Sequence, residues 1–185
     1  EELVNYNTSL NEDGFLVFNR YITKSEILKY LPKDYLFLDY KYEIKGCTLS
    51  TFHRDVTSSA YIFKTKHPTY TYGIYKNTND LLSLCPGSHK QNLCLLSRPK
   101  MIKSKSKTNT ILFNCDVVHG GMLSYYPNKY RNFIQYKICH KDDVHLFNHL
   151  NKIDKTVSDN CKKFNYIYEL VVRKVSLFFT YIFKN

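Results

Sequence analysis

Two histidines and one aspartate stand at positions from which they can bind the same metal ion. His53 and Asp55 lie two residues apart, and His119 follows an apolar run and precedes a Gly-Gly pair. In an extended chain, residues i and i+2 point to the same face, so His53 and Asp55 can reach one ion from the end of one strand. Two histidines and one carboxylate are the ligand set of the non-haem iron(II) facial triad, which leaves coordination positions open.

The His-x-Asp pair also has a simpler interpretation, since a surface histidine and aspartate at a strand end would give the same pattern. The rest of the chain supplies a more specific order of motifs. Pro86-Gly87-Ser88-His89 precedes His119, and Arg131 follows it by twelve residues at the start of a strand-like run. Near the N-terminus, Asp13-Gly14-Phe15 begins the first predicted strand.

Taken in order, these parts resemble the phytanoyl-CoA dioxygenase-like family of Fe(II)/2-oxoglutarate-dependent oxygenases over residues 11–140. The resemblance implies that His53, Asp55 and His119 are the catalytic residues and bind Fe(2+). It also implies 2-oxoglutarate and O2 as co-substrates and hydroxylation of an organic substrate, with a small-molecule or lipid-like substrate favoured. In that family His89 is not a metal ligand, and the turn that contains it is expected to be structural.

The same resemblance makes Arg131 the candidate cation for the far carboxylate of 2-oxoglutarate. A guanidinium offers a planar fork that matches a carboxylate bidentately. A surface arginine at a strand start is the alternative. Ser124, between His119 and Arg131, is a weaker candidate for a second contact, and Lys137 is the next cation to consider if Arg131 does not serve.

Three alternatives stay open at this point. The first is a non-catalytic jelly-roll binding protein with a vestigial metal site, and the second is a zinc or iron hydrolase or isomerase that uses the triad without 2-oxoglutarate. In addition, His140, Asp142 and His145 could form a second metal cluster, or they could lie unpartnered on the surface.

Length and composition indicate one globular domain spanning residues 1–185, because 43% of the 185 residues are hydrophobic and 16% are aromatic. The formal charge of +11 permits attraction to nucleic acid, acidic membrane or anionic substrates, or reflects composition alone. The six cysteines form no Cys-x-x-Cys pair, which favours free thiols in a reducing, cytoplasmic compartment. No apolar run is long enough to predict a membrane-spanning helix.

Many short strands separated by turns predict an antiparallel sandwich or barrel. The resemblance narrows this to a mainly β, double-stranded β-helix (a cupin-like jelly roll) with a core over about residues 11–140. Thr23-Lys24-Ser25-Glu26 predicts a capping box and a short N-terminal helix. The pattern also predicts a strand at Tyr61–Thr65 and a solvated loop at Lys100–Asn109.

Residues 156–185 differ from the rest and are predicted to form a C-terminal helical extension. Apolar residues recur there at helical spacing, from Ile167 to Ile182, with lysine and arginine elsewhere on the helix. Such a helix either packs on the barrel or lies on a membrane surface, so peripheral membrane contact through residues 166–185 is a second hypothesis.

Overall fold

The computed structural model describes residues 8–46, 51–76, 79–90, 99–104, 106–121, 131–159 and 166–179. Most of its regular structure is β-strand. The strands are β1 (Phe15–Phe18), β2 (Tyr35–Phe37), β3 (Tyr40–Gly46), β4 (Tyr70–Tyr75), β5 (Asn79–Leu84), β6 (Lys100–Ser104), β7 (Asn109–Asn114), β8 (His119–Gly120), β9 (Arg131–His140) and β10 (Ile153–Asp159). The helices are α1 (Lys24–Leu28), α2 (Ala60–Phe63), α3 (Tyr166–Phe179) and two 3-10 helices, Ser88–Lys90 and Lys141–Leu150.

These strands form two sheets. The seven-stranded sheet has the order β1-β7-β4-β9-β3-β10, with β2 beside β9, and the three-stranded sheet has the order β6-β5-β8. Side chains from both sheets make one buried cluster, in which Phe113 and Phe133 of the large sheet meet Leu84 and Ile102 of the small one. Apolar burial between two mainly antiparallel sheets is the jelly-roll arrangement, so the predicted mainly β, two-sheet fold is confirmed.

The predicted N-terminal capping box is present at the start of α1. The Thr23 hydroxyl accepts a hydrogen bond from the Glu26 amide at 3.2 Å, and the Glu26 carboxylate accepts one from the Thr23 amide at 2.8 Å. The two bonds satisfy amides that a helix start leaves unpaired. The helix then buries Ile27 against the outer face of the large sheet.

The strand predicted at Tyr61–Thr65 is wrong, because residues 60–63 form helix α2. Aromatic and β-branched residues favour strands locally, but tertiary contacts override that preference here. The Ser59 hydroxyl caps the helix by accepting from the Ile62 amide, and the buried Asp116 carboxylate accepts from the Ala60 amide at 2.9 Å. Lys64, in the left-handed conformation, ends the helix.

The loop predicted at Lys100–Asn109 is also wrong in its first half, where β6 pairs with β5. The alternation of lysine with other residues in this segment is that of a half-buried strand. Ile102 is fully buried between the sheets, while its neighbours Met101 and Lys103 are exposed. One inward-facing apolar residue in this segment was not enough to distinguish a strand from a loop by sequence.

The C-terminal segment begins as a strand and not as a helix. Residues 153–159 form β10, which runs parallel to β3 and extends the large sheet, and the helix starts only at Tyr166. Within the described parts of the chain, no helix is long and apolar enough to cross a membrane.

Helix α3 packs on the small-sheet side of the protein, although three members of the predicted apolar row, Ile167, Val171 and Val175, are exposed. Leu177 joins the buried cluster of Phe52, Cys85 and Val118. The opposite side of the helix carries large apolar side chains in the solvent. These are Ile167, Tyr168, Val171 and Val175, exposed by 72%, 63%, 53% and 47%.

Candidate metal centre

His53, Asp55 and His119, the three residues predicted to bind a metal ion, are brought together at one end of the small sheet. One ligand atom from each lies within 4.8 Å of the ligand atoms of the other two. Nε2 of His119 is 3.6 Å from Oδ1 of Asp55, and the centroids of the two imidazole rings are 4.5 Å apart. Ligands about 2.0–2.2 Å from a common ion lie roughly 3–3.5 Å from one another, so small side-chain rotations would bring all three onto one ion.

Backbone hydrogen bonds fix the three residues before any ion binds. The amide of His53 donates to the carbonyl of His119 at 2.9 Å, and the amide of His119 donates back to His53 at the same distance. This exchange adds residue 53 to β8 as an isolated antiparallel bridge. The amide of Asp55 donates to the carbonyl of Cys115 at 3.0 Å, which ties the carboxylate to the turn before His119.

Both histidines present the nitrogen that a metal needs. Nδ1 of His53 lies 2.9 Å from the carbonyl oxygen of Thr51, and Nδ1 of His119 lies 2.9 Å from that of Val117. A carbonyl oxygen only accepts, so we assign the proton of each neutral ring to Nδ1. The lone pair is then on Nε2, and a backbone partner on the other nitrogen is the usual support of a metal-binding histidine.

His119 is buried, and its surroundings keep it uncharged. Burial, together with the neighbouring His53, lowers the pKa of His119 from 6.5 to about 4, although the carboxylate of Asp55 acts in the opposite direction. A neutral imidazole is the form that coordinates a metal ion. The ring also packs on Phe113, with centroids 4.8 Å apart, which limits its rotation.

The lowered pKa of His119 predicts a pH dependence of stability in the metal-free protein. As the pH falls from 6.5 to about 4, His119 becomes protonated in the unfolded chain but stays neutral in the folded chain. The free energy of unfolding should therefore fall across this window, by at most about 3 kcal/mol. Denaturant titrations in the presence of a chelator would measure it.

The matched comparison uses two glutamine variants. His119→Gln should remove this part of the slope, whereas His149→Gln, at an exposed histidine, should retain it. If the free energy of unfolding of His119→Gln depends on pH as it does in the wild type, His119 is not the group whose lowered pKa causes this dependence.

One oxygen of Asp55 is already occupied, and the other is directed at the histidines. Oδ2 accepts hydrogen bonds from Nζ of Lys137 and from the hydroxyl of Thr71, both at 2.6 Å, and Lys137 also donates to Thr71 at 2.7 Å. Oδ1 faces His119. The arrangement predisposes Asp55 to bind an ion through one oxygen.

Asp55 and Lys137 form a buried pair in which each charge stabilises the other. Burial opposes ionisation of Asp55, but Lys137, His119 and the hydrogen bond from Thr71 outweigh it, and the pKa of Asp55 lies below its usual range. Burial also opposes the charge on Lys137, but Asp55 outweighs it and raises the pKa of that lysine. At neutral pH the site therefore offers the anionic carboxylate of Asp55 and the neutral imidazole of His119, and with the imidazole of His53 these make a donor set that fits iron(II).

The Pro86-Gly87-Ser88-His89 turn has the structural role predicted for it. Gly87 adopts φ +74°, which only glycine takes readily, and the Ser88 hydroxyl accepts from the amide of Val118 at 2.8 Å. The Ser88 carbonyl accepts from the guanidinium of Arg54 at 3.0 Å. The turn thus holds the residue before His119 and the residue between the other two candidate ligands.

Helix α3 contacts the chain on both sides of the candidate centre. The Ser176 hydroxyl accepts from the amide of Phe52 at 2.8 Å, and the Arg173 guanidinium lies 4.3 Å from the centroid of the Phe52 ring. Arg173 also donates to the carbonyl of Gly121 and, at 2.8 Å, to the hydroxyl of Ser83. The helix therefore links the residue before His53 to the segment that follows His119.

The two residues predicted to bind 2-oxoglutarate are not tested by this geometry. Arg131 begins β9 opposite Gly46, and the structure does not describe its side chain. Ser124 lies outside the described residues.

The contacts of Lys137 and Thr71 with Asp55 were not predicted from the sequence. A lysine inside the run Phe133–Cys139 was the available signal, because strand alternation puts Lys137 on the same face as Phe133, which is buried between the sheets. Thr71 gave no such signal, since threonine is common in strands.

Comparison with known proteins leaves the family open. No family model matches the chain, and no curated protein matches it. Solved structures of other proteins are similar to parts of it, among them EvdMO1, SnoK and NvfI. EvdMO1 is 17% identical, with a likeness that covers 63% of this chain but only 30% of EvdMO1, at a TM-score of 0.44.

The other two have titles that state a cofactor. The non-heme alpha-ketoglutarate-dependent carbocyclase SnoK from nogalamycin biosynthesis is 11% identical over 80% of this chain and 94% of SnoK, at a TM-score of 0.44. The iron and alpha-ketoglutarate-dependent endoperoxidase NvfI is 9% identical over 72% of this chain and 80% of NvfI, at a TM-score of 0.45. At these identities and TM-scores the likenesses assign neither a substrate nor a reaction to this chain. Its own fold and site define a jelly-roll protein with a candidate His-Asp-His metal centre.

Proposed function

We propose that the protein is an Fe(II)- and 2-oxoglutarate-dependent oxygenase that hydroxylates an organic substrate. The observation that carries the proposal is the convergence of His53, Asp55 and His119. Nδ1 of each histidine faces a backbone carbonyl, Oδ2 of Asp55 is bound to Lys137, and among the described residues neither Nε2 nor Oδ1 of Asp55 makes a hydrogen bond. Three ligands on one face leave three positions of an octahedral ion open, enough for a chelating keto acid and oxygen. The bound iron and 2-oxoglutarate would supply the oxidation of a C–H bond.

The protein's own contribution is to hold the ligands in place. Lys137 and Thr71 keep Asp55 ionised and prevent its second oxygen from turning toward the ion. Phe113 restrains the ring of His119. A preorganised ligand set of this kind reduces the conformational cost of binding the ion and keeps its open positions on one side.

The direct test is turnover of 2-oxoglutarate by the iron-loaded protein. With O2 and a substrate RH, the balanced reaction gives succinate, CO2 and ROH. One atom of O2 enters the new carboxylate of succinate, and the other enters the hydroxyl group of ROH. We expect consumption of 2-oxoglutarate to rise with the right members of a panel of small and lipid-like substrates, and His53→Ala to show none. Iron binding without any turnover would favour a non-catalytic protein, and hydrolysis by a zinc-loaded form would favour a hydrolase.

Arg131 is the residue expected to bind the far carboxylate of 2-oxoglutarate. Arg131→Ala should weaken 2-oxoglutarate binding by about 10–100-fold, because a bidentate pair of charged hydrogen bonds contributes roughly 1.5–3 kcal/mol. Iron should still bind. Arg131→Lys should restore affinity only in part, since an ammonium is a point charge and not a fork. Anaerobic calorimetry of the iron-loaded variants would measure both effects.

Arg20 offers a matched control, because it is an exposed arginine that contacts Glu26 at 3.7 Å. Arg20→Ala should bind 2-oxoglutarate like the wild type. If Arg131→Ala does the same, the far carboxylate is held elsewhere, and not by Lys137, the next candidate from the sequence, because its ammonium group is bound to Asp55 and Thr71.

Helix α3 is expected to be part of the folded unit. Deleting residues 166–185 should lower the melting temperature by several degrees, because the Phe52 amide, Leu177 and the Arg173 contacts would lose their partners. It should also weaken iron binding through Phe52. A truncated protein with an unchanged melting temperature would contradict this expectation.

Peripheral membrane contact is a second hypothesis, because one side of helix α3 is apolar and exposed to solvent. Ile167, Val171 and Val175 form an exposed apolar row on a chain of charge +11. Exposed apolar rows beside cations are typical of helices that bind anionic membrane surfaces. Ile167→Glu should then reduce binding to phosphatidylserine vesicles while leaving the melting temperature unchanged, and salt should weaken the binding of the wild type.

A further inference from the structure

A second group of metal-ligand residues lies outside the candidate iron centre. His67, His140 and Asp142 each offer a ligand atom within 4.8 Å of the other two. Nε2 of His67 is 3.8 Å and Nδ1 of His140 is 3.5 Å from the same carboxylate oxygen of Asp142. The sequence had suggested His140, Asp142 and His145, but His145 is exposed and its place is taken by His67, from a distant part of the chain.

Hydrogen bonds hold this cluster together without an ion. The carboxylate of Asp143, 1% exposed, accepts from the amides of Lys66 and His67, both at 3.0 Å. The carbonyl of His67 accepts from the hydroxyl of Thr65 at 2.6 Å. The loop that carries His67 is therefore anchored to the first turn of the 3-10 helix Lys141–Leu150, beside Asp142.

His140 is positioned just as firmly. It ends β9, where it pairs with Tyr35 of β2, and the Tyr35 ring meets the imidazole edge-on with centroids 5.4 Å apart. The amide of Asp142 donates to Nδ1 of His140 at 3.3 Å, so Nδ1 carries the lone pair and the proton of the neutral ring is on Nε2. At that length the bond is weak, and an ion could take its place.

The distances from each histidine nitrogen to the Asp142 carboxylate are close to those around a small tetrahedral ion, and the ligand nitrogens of the two histidines lie within 4.8 Å of each other. Ligands about 2.0–2.1 Å from a tetrahedral zinc lie roughly 3.4 Å apart. The observed separations of 3.5 and 3.8 Å need only small side-chain rotations to reach that value. His140 is largely buried, whereas the side chains of His67 and Asp142 are exposed by 37% and 46%, so an ion and a water can enter from solvent.

We infer that His67, His140 and Asp142 form a second divalent-cation site, which takes zinc with a water as the fourth ligand. Two imidazoles and one carboxylate select ions of this class over magnesium or calcium. The bound ion would join the loop before β4 to the end of β9. Its expected effect is to stabilise the large sheet, and it does not depend on the proposed oxygenase function.

The test removes the first site and counts ions at the second. In a His53→Ala/His119→Ala background, Co(2+) serves as a coloured probe for zinc, followed by calorimetry and by the absorption of four-coordinate cobalt. We expect one equivalent to bind, and a further His67→Ala substitution to weaken it by at least 10-fold. His67 is chosen because His140 also caps the 3-10 helix.

The matched control is His145→Ala in the same background, which removes an exposed histidine from the same helix and should leave the affinity unchanged. If the background does not fold, the same counts are made in the wild type, where two equivalents should fall to one with His67→Ala. Zinc should also raise the melting temperature of the background, but not of its His67→Ala derivative. Equal cobalt affinity with and without His67 would overturn the inference, as would a number of equivalents in the wild type that His67→Ala leaves unchanged.

Discussion

Replacing Asp55 with alanine is expected to abolish iron binding and to lower the free energy of unfolding by about 3–5 kcal/mol. The loss of stability is large because Lys137, 2% exposed, would keep a buried charge without its carboxylate partner. Equilibrium denaturation and calorimetric titration with iron(II) would measure the two effects separately.

Two further variants separate the buried pair from ordinary surface charge. In Asp55→Ala/Lys137→Met the uncompensated charge is gone, so most of the stability should return while iron binding stays lost. Asp154→Ala breaks an exposed pair with Lys41 and should change stability by less than about 1 kcal/mol. If Asp55→Ala is as stable as the wild type, the buried pair does not carry the role described for it.

Replacing His53 with alanine should also weaken iron binding, but it should change the free energy of unfolding very little. Iron affinity should fall by more than about 100-fold, because even the outer partners of metal ligands are worth 10–100-fold. Stability should change little, since His53 is only half buried and its backbone bonds to His119 do not need the side chain. The same titration and a thermal melt would test both expectations.

His145→Ala is the matched control for this variant, because it removes an exposed histidine that belongs to neither metal cluster. It should bind iron like the wild type. Retained iron affinity in His53→Ala would remove His53 from the site, and a collapsed fold would show that the histidine has a structural role instead.

The candidate ligands could be predicted from the sequence because a local signal occurs within an order of motifs that resembles a known family. His53 and Asp55 share one face through the two-residue period of an extended chain, and the glycine pair after His119 marks the end of an apolar run. The fold class followed from many short strands, and the helix at Lys24–Leu28 followed from its capping box. The pairing of His53 with Asp55 and the capping box use residues within a few positions of one another, whereas His119 was linked to them by the order of motifs over residues 11–140.

The features that were missed depend on contacts between distant segments. Helix α2 forms where Asp116, more than fifty residues away, caps its first turn. Thr71 and Lys137 reach Asp55 only because β4 and β9 pair in a particular register, which places these two residues opposite each other. Likewise, His67 joins His140 through the fold and not through spacing, which is why His145 was the natural choice from sequence.

The central claim is that His53, Asp55 and His119 hold one iron ion, and an anaerobic crystal structure of the iron-loaded protein tests it most directly. Anomalous scattering would locate the ion. We expect Nε2 of His53, Nε2 of His119 and Oδ1 of Asp55 at about 2.0–2.2 Å from it, with Lys137 still bound to Oδ2 and the remaining positions on one side. An ion with any of the three ligand atoms more than about 4 Å away would contradict the account.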